Sequence, residues 1–127
     1  MNTAVIGMGS NIAPEENIHR AKQLIQEHHK ILTETSLLQT KPISPIPQAD
    51  FLNGAILIAA DLDYKELLAQ LKKIEVTLGR QKDHTPMGPR TIDLDVIVWN
   101  NRVVHKDFYS RNFVRTAVHQ LLPELKA

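Results

Sequence analysis

The hydrophobic and polar positions of the chain alternate between strand-like runs and helical stripes. Asn2–Met8 is a short apolar run that ends in the turn cluster Gly7-Met8-Gly9-Ser10-Asn11, which predicts a first strand. Pro14, Glu15 and Glu16 predict a helix start, because proline suits the first helical position and acids suit the positive end of the dipole. Ile18, Ala21, Leu24 and Ile25 supply that helix with an apolar stripe. Ile31–Leu38 reads as a second strand and Phe51–Ala60 as a third. Asp63-Tyr64-Lys65-Glu66 has the form of a capping box, and Leu67, Leu68, Leu71, Ile74 and Leu78 keep helical period up to a stop at Gly79. Ile92–Trp99 is the fourth strand, with Asn100-Asn101 as a tight turn that pairs it with Val103-Val104. A last helix over Thr116–Leu122 ends at Pro123.

The order βαββαβ predicts an α+β, ferredoxin-like fold with an antiparallel sheet. Both main helices would lie on one face and leave the other open to a ligand. Two connections exceed what the fold needs. Gln39–Asp50 holds three prolines, and Gly79–Thr91 holds two glycines, two prolines and several charges. Loops near a dozen residues in a compact domain are usually functional or mobile, although each could be a tolerated insertion.

Composition narrows the class. A chain of 127 residues, 43% hydrophobic and 23% charged, is enough for one globular domain, read here as residues 1–127. No run approaches the roughly 20 apolar residues of a membrane helix. The absence of cysteine excludes a disulfide framework, a thiol nucleophile and a cysteine-held zinc. The expectation is a cytoplasmic protein. Net charge is +1, but residues 1–63 carry four Lys/Arg against seven Asp/Glu, whereas residues 64–127 carry eleven against seven. Scattered arginines in loops suit a compact anionic ligand better than a nucleic-acid track.

The most informative segment is Thr91-Ile92-Asp93-Leu94-Asp95-Val96-Ile97-Val98-Trp99. Strand alternation puts Ile92, Leu94, Val96 and Val98 on one face and Asp93 with Asp95 on the other, about 6–7 Å apart at the backbone. Aspartate is depleted in strands, and two like charges on one face repel unless something neutralises them. A divalent cation such as magnesium does so, and a pair of such ions can clamp both ends of a displacement. The plainer alternative is a solvent-facing sheet surface, or pairing with arginines. Arg80 and Arg90 bracket the second long loop, where planar guanidinium groups suit phosphate oxygens. Lys82, inside that loop, reads as an ordinary solvated charge. Asn53 offers a donor and an acceptor together for a heterocycle's edge, and Phe51 and Phe113 could sandwich a flat ring. Gly9-Ser10-Asn11 lacks the lysine and length of a phosphate-binding P-loop.

Taken in order, Gly9-Ser10-Asn11, Thr40-Lys41-Pro42-Ile43, Asp50-Phe51-Leu52-Asn53, Glu75 with Gly79-Arg80, and Gly88-Pro89-Arg90-Thr91-Ile92-Asp93-Leu94-Asp95 resemble one family. It is the 6-hydroxymethyl-7,8-dihydropterin pyrophosphokinases of folate biosynthesis, and the resemblance runs from about Ala4 to Leu125. It implies transfer of pyrophosphate from ATP to the pterin hydroxymethyl group, with release of AMP. It implies that Asp93 and Asp95 hold two magnesium ions and that Arg80 and Arg90 steady the transferring group. It further implies pterin recognition by Thr40, Pro42, Ile43 and Asn53 between Phe51 and Phe113. Leu68, Glu75, Val96, His105 and Arg111 would surround the nucleotide.

The pattern departs from the family on the nucleotide side. Met87 stands where a tryptophan is usual, Lys72 where a glutamine is expected, and Lys106 where an aromatic residue follows the histidine. About eight residues are missing before His105 by comparison of loop length, so the chain reads as a shortened member. The competing readings are a degenerate pterin-binding relative without catalysis and, on fold alone, an RNA-binding domain. Three Phe, two Tyr and one Trp leave few stacking platforms for the latter. Pterin and ATP are thus the expected partners, with neither nucleic acid nor membrane.

Overall fold

The computed structural model describes residues 1–80 and 88–127; Lys82 and Met87 lie outside the described residues. The elements run β1 (Asn2–Ser10), α1 (Pro14–Gln26), β2 (Lys30–Glu34), β3 (Leu38–Thr40), β4 (Phe51–Ala60), α2 (Tyr64–Thr77), β5 (Asp93–Trp99), β6 (Arg102–Val103), α3 (Asp107–Ser110) and α4 (Asn112–Leu121). All strand pairs are antiparallel, in the order β2-β4-β1-β5-β6, with β3 extending the β4 edge beside β2. This is the expected α+β plan.

Local chemistry explains most boundaries. Pro14 opens α1, and Glu15 and Glu16 occupy its first turn. The capping box at α2 is complete in both directions. Asp63 Oδ1 accepts the Glu66 N–H at 2.8 Å, and the Asp63 N–H donates to Glu66 Oε1 at 3.0 Å. Leu67, Leu71, Ile74 and Leu78 are buried with Ile18, Ala21 and Ile25 of α1 against Ala4, Ile6, Met8, Ile56, Ile58, Leu94 and Val96. Burying each such leucine or isoleucine contributes about 1.5–3 kcal/mol, and this layer is the main core.

The structure departs from the sequence expectations at four places, each a correction. The single strand expected over Ile31–Leu38 is two strands, because Glu34 pairs with Ile56 but Leu38 with Asn53. Four steps on the edge therefore oppose three on β4, and the extra residue forms a bulge. Thr35–Leu37 arches over Gly54, whose missing side chain leaves room for Leu37. In the last hairpin, Asn100 and Asn101 both take positive φ (47° and 64°), as a two-residue turn requires. Such a turn sets Trp99 opposite Arg102, so β6 falls one residue earlier than expected.

The third correction concerns β5. Val5 pairs with Val98 but Ile6 with Val96, so Ile97 is a bulge that turns Val98 to the face opposite Leu94 and Val96. The fourth concerns the face expected to be open. Phe108, Val118 and Leu121, from α3 and an α4 that begins four residues earlier than expected, pack on Val5, Ala55, Ile97 and Val98. Half of the second face is therefore a small second core. The other half is the floor of a cavity.

Candidate active site

Two rows of the sheet make that floor. Gly9 of β1 lies between Asn53 of β4 and Asp93 of β5, and Gly7 lies between Ala55 and Asp95. Strand alternation turns all six positions toward the second face. The glycines leave the space above them to their neighbours. A Cβ at Gly9 would stand 2.9 Å from Asn53 Oδ1, and one at Gly7 would stand 3.3 Å from Ile97. The resulting cavity measures about 800 Å³, within the range of small-molecule pockets.

Eleven of the sequence-derived site residues line it: Thr40, Pro42, Ile43, Phe51, Asn53 and Phe113, and with them Arg90, Asp93, Asp95, His105 and Arg111. Lys106 lines it as well. The Asn53 carboxamide donates through Nδ2 to Thr40 Oγ1, which joins two of the residues assigned to the pterin. Arg80, Leu68, Glu75 and Val96 do not line the cavity. Val96 is buried in the main core, Leu68 packs against it, and Glu75 is 2% exposed beneath β5.

The ionisable groups form a chain of contacts. Lys72 Nζ is 3.4 Å from Glu75 Oε1, and Glu75 Oε2 is 3.0 Å from Arg80 Nη1. Arg80 Nη1 donates to Asp93 Oδ1 at 2.9 Å. Beyond Asp95, His105 stands 3.7 Å from both Asp95 Oδ1 and Asp107 Oδ2, and Arg111 Nε lies 3.6 Å from Asp107 Oδ1. Between these two halves sit Asp93 and Asp95, a junction of like charges. The arginine pairing weighed as an alternative thus holds for Asp93 and, among the described residues, not for Asp95.

The consequence is electrostatic. Asp95 is pushed up from the ordinary 3.8 to about 6, first by burial and then by repulsion from Asp93, with Glu75 adding and His105 and Lys72 opposing. His105 cannot hand Asp95 a strong hydrogen bond at 3.7 Å. Its Nδ1 accepts the Asp107 N–H at 3.1 Å, so a neutral ring carries its proton on Nε2, toward Asp95. One donor atom each of Asp95, His105 and Asp107 lie within 4.8 Å of one another. Hard carboxylate oxygens beside a cavity, one of them short of positive charge, are a donor set that fits magnesium. The imidazole, with its proton on the near nitrogen, fits less well as a ligand.

Asn11, part of a motif in the sequence but given no role there, is a positioning residue of the site. Its Oδ1 accepts the Arg90 N–H at 2.8 Å and its N–H donates to the Arg90 carbonyl at 3.1 Å. Its Nδ2 donates to Gln48 Oε1 and the Ala49 carbonyl, both at 2.9 Å. Beside it the buried Ser10 hydroxyl donates to the Thr91 carbonyl at 2.6 Å. Asn11 thereby ties the ends of both long connections to the end of β1. The available signal was a polar pair following a strand that the fold buries.

The sequence pattern of the 7,8-dihydro-6-hydroxymethylpterin-pyrophosphokinase family matches residues 5–123. The chain belongs to this family. Among its relatives, the 2-amino-4-hydroxy-6-hydroxymethyldihydropteridine pyrophosphokinase of Haemophilus influenzae is 31% identical, over 98% of this chain and 84% of that protein. The pyrophosphokinase of the same name from Bacillus subtilis is 33% identical, over 98% of this chain and 81% of its own length. The bifunctional protein FolKE of Lactococcus lactis is 34% identical over 96% of this chain, which spans only 38% of that longer protein. Membership carries the pyrophosphokinase class and its place in folate biosynthesis. The 81–84% coverage agrees with a somewhat shortened member. No helix among the described residues is long and apolar enough to cross a membrane.

Proposed function

We propose that this chain transfers pyrophosphate from ATP to 6-hydroxymethyl-7,8-dihydropterin and releases AMP. The observation that carries this reading is the placement of Asp93 and Asp95 in the same cavity as the Asn53–Thr40 pair, Phe51, Phe113 and Arg90. In this reading Asn53 and Thr40 bind the polar edge of the pterin, while Phe51 and Phe113 supply apolar surface for its ring. Pro42 and Ile43 close the same end. Asp93 and Asp95 hold two magnesium ions, which when bound neutralise the triphosphate and favour attack at phosphorus. Arg90, its backbone fixed by Asn11, places a guanidinium against the transferring group.

His105 and Arg111 serve the nucleotide phosphates from the far wall, the Nε2 proton of His105 acting as a donor. Leu68 and Val96 shape that side only from within the core. Glu75 we assign to holding Arg80, instead of to the nucleotide. Holding the hydroxymethyl oxygen and the phosphorus in line is the main contribution of such a site.

The test is AMP release from ATP with magnesium and 6-hydroxymethyl-7,8-dihydropterin. The expected result is pterin-dependent AMP from the wild type and none above background from Asp95→Ala. Pterin binding by a folded protein that releases no AMP would instead establish a non-catalytic binder.

A further inference from the structure

The end of α2 places one cation with unusual definition. Gly79 takes φ +102°, and its N–H bonds the Val76 carbonyl while the Arg80 N–H bonds the Glu75 carbonyl, both at 3.0 Å. This double bond pattern is a Schellman cap, which folds the residue after the glycine back over the last helical turn. An apolar contact usually accompanies it; here the pair brought together is Arg80 and Glu75, 3.0 Å apart. Glu75 is otherwise committed, since its Oε2 also accepts the N–H of Leu94 at 2.8 Å. Leu94 is the residue between the two aspartates. One buried carboxylate therefore fixes both the β5 backbone between Asp93 and Asp95 and the guanidinium that reaches Asp93.

We propose that Arg80, positioned by Glu75, is the resident cation of the metal site. It neutralises Asp93 in the ligand-free protein and yields that carboxylate to a divalent cation on loading. The proposal rests on the reading of Asp93 as a metal ligand. Its logic is electrostatic: a divalent ion on Asp93 and a guanidinium 2.9 Å from the same carboxylate repel each other, so they alternate there. Glu75 makes the exchange possible. Arg80 retains a buried partner when Asp93 is taken, so its pivot leaves neither Glu75 nor the guanidinium uncompensated. The side chain of Asp93 is 35% exposed, enough for an ion to approach from the cavity, whereas that of Glu75 is 3% exposed and stays out of reach.

The experiment is calorimetric titration of the nucleotide-free protein with magnesium chloride at constant ionic strength. Arg80→Ala should bind magnesium about three- to tenfold tighter than wild type. The double variant Glu75→Gln, Arg80→Ala removes the orphaned carboxylate, guards against misfolding, and should show the same gain. Lys72→Ala removes a nearby charge that does not touch Asp93 and should change affinity less than about twofold. In the wild type, the Arg80 guanidinium resonances should shift on adding magnesium. Glu75→Gln, which keeps an oxygen for the Leu94 N–H, should leave them less protected from exchange beforehand, because Asp93 is then their one remaining charged partner among those described. Unchanged or weaker magnesium binding in both folded Arg80 variants overturns the exchange. If Asp93→Ala binds magnesium as the wild type does, the ligand assignment falls and the exchange falls with it. Loss of binding in Asp93→Ala without a gain in the Arg80 variants overturns the exchange alone.

Discussion

At one end of the acidic row, Asp93 lies 2.9 Å from a guanidinium that a buried glutamate holds in place. At the other end, Asp95 faces an imidazole 3.7 Å away, and behind that ring stands another carboxylate. The two residues are of one type, on one face of one strand. Their environments differ because different elements abut them: the cap of α2 reaches Asp93, and the segment entering α3 reaches Asp95. The fold has neutralised the first carboxylate internally and left the second short of positive charge. A site built this way favours a cation at Asp95 in particular, and its resting state carries a stored electrostatic cost there.

The largest effect is expected at Asp95. Asp95→Ala should lower pterin-dependent AMP release by about a thousandfold or more, the scale of losing the main charge stabilisation in such a site. A variant with near wild-type turnover would mean that Asp95 is only a buried acid. Stability should move in the opposite direction. In the folded, ligand-free protein Asp95 titrates near 6, against 3.8 when unperturbed. The folded state therefore holds the extra proton between those values. The corresponding stability is full below about pH 4 and is lost as pH rises through 6, a change of roughly 2–4 kcal/mol. Asp95→Asn should accordingly be more stable than the ligand-free wild type at pH 7.5, with the gap closing toward pH 4. Denaturant titrations of both proteins at the two pH values would read it, and a gap independent of pH would contradict the assignment. Asp93→Asn should be destabilising at pH 7.5, because it leaves Arg80 with one partner fewer.

Most of this architecture was legible because it follows from short-range rules. The capping box at Asp63, the stop at Gly79, the Asn100-Asn101 turn and the pairing of two aspartates on one face are local statements about φ, period or hydrogen bonding. What the sequence hid depends on register. The bulge at Ile97 moves Val98 to the other face, and nothing in Asp93–Trp99 announces it. The break between β2 and β3 becomes visible only when both are laid against β4 at Gly54. The role of Asn11 is hidden because its partners, Gln48, Ala49 and Arg90, lie in two segments 37 or more residues away. Glu75 was assigned to the nucleotide by resemblance. Its burial beneath Leu94 emerges only once α2 is docked on β5.

The two rows of the cavity floor differ as well. In the row of Asp93, a Cβ on Gly9 meets Asn53 Oδ1 at 2.9 Å, while in the row of Asp95 a Cβ on Gly7 first meets the buried side chain of Ile97, at 3.3 Å, and no polar group of the pterin end. Gly9→Ala should therefore push the Asn53 carboxamide off its place beside Thr40 and weaken pterin binding by about tenfold, on the scale of one hydrogen bond. Magnesium affinity should hardly change. Gly7→Ala should leave pterin affinity nearly intact and cost about 1–3 kcal/mol of stability through repacking of Ile97. Fluorescence titration with the pterin, alongside thermal denaturation, separates the two. Equal effects on the pterin would show that the rows are not independent.

The smallest effect concerns a charge that acts without touching. Lys72, at 64% side-chain exposure, bonds Glu75 and lowers the pKa of Asp95 through its field alone. Lys72→Ala should raise the Asp95 pKa, visible as a displaced midpoint in the carboxyl carbon resonance followed against pH. Because the lysine is exposed, that displacement should vanish at about 1 M salt, where the screening length falls to about 3 Å. The Arg80 contact with Asp93, short and mostly shielded from water, should survive the same salt. A Lys72 effect that persists at high salt would mean that the ammonium reaches Asp95 directly. The protein would then supply a cation to both carboxylates, and the contrast between the two ends of the row would disappear.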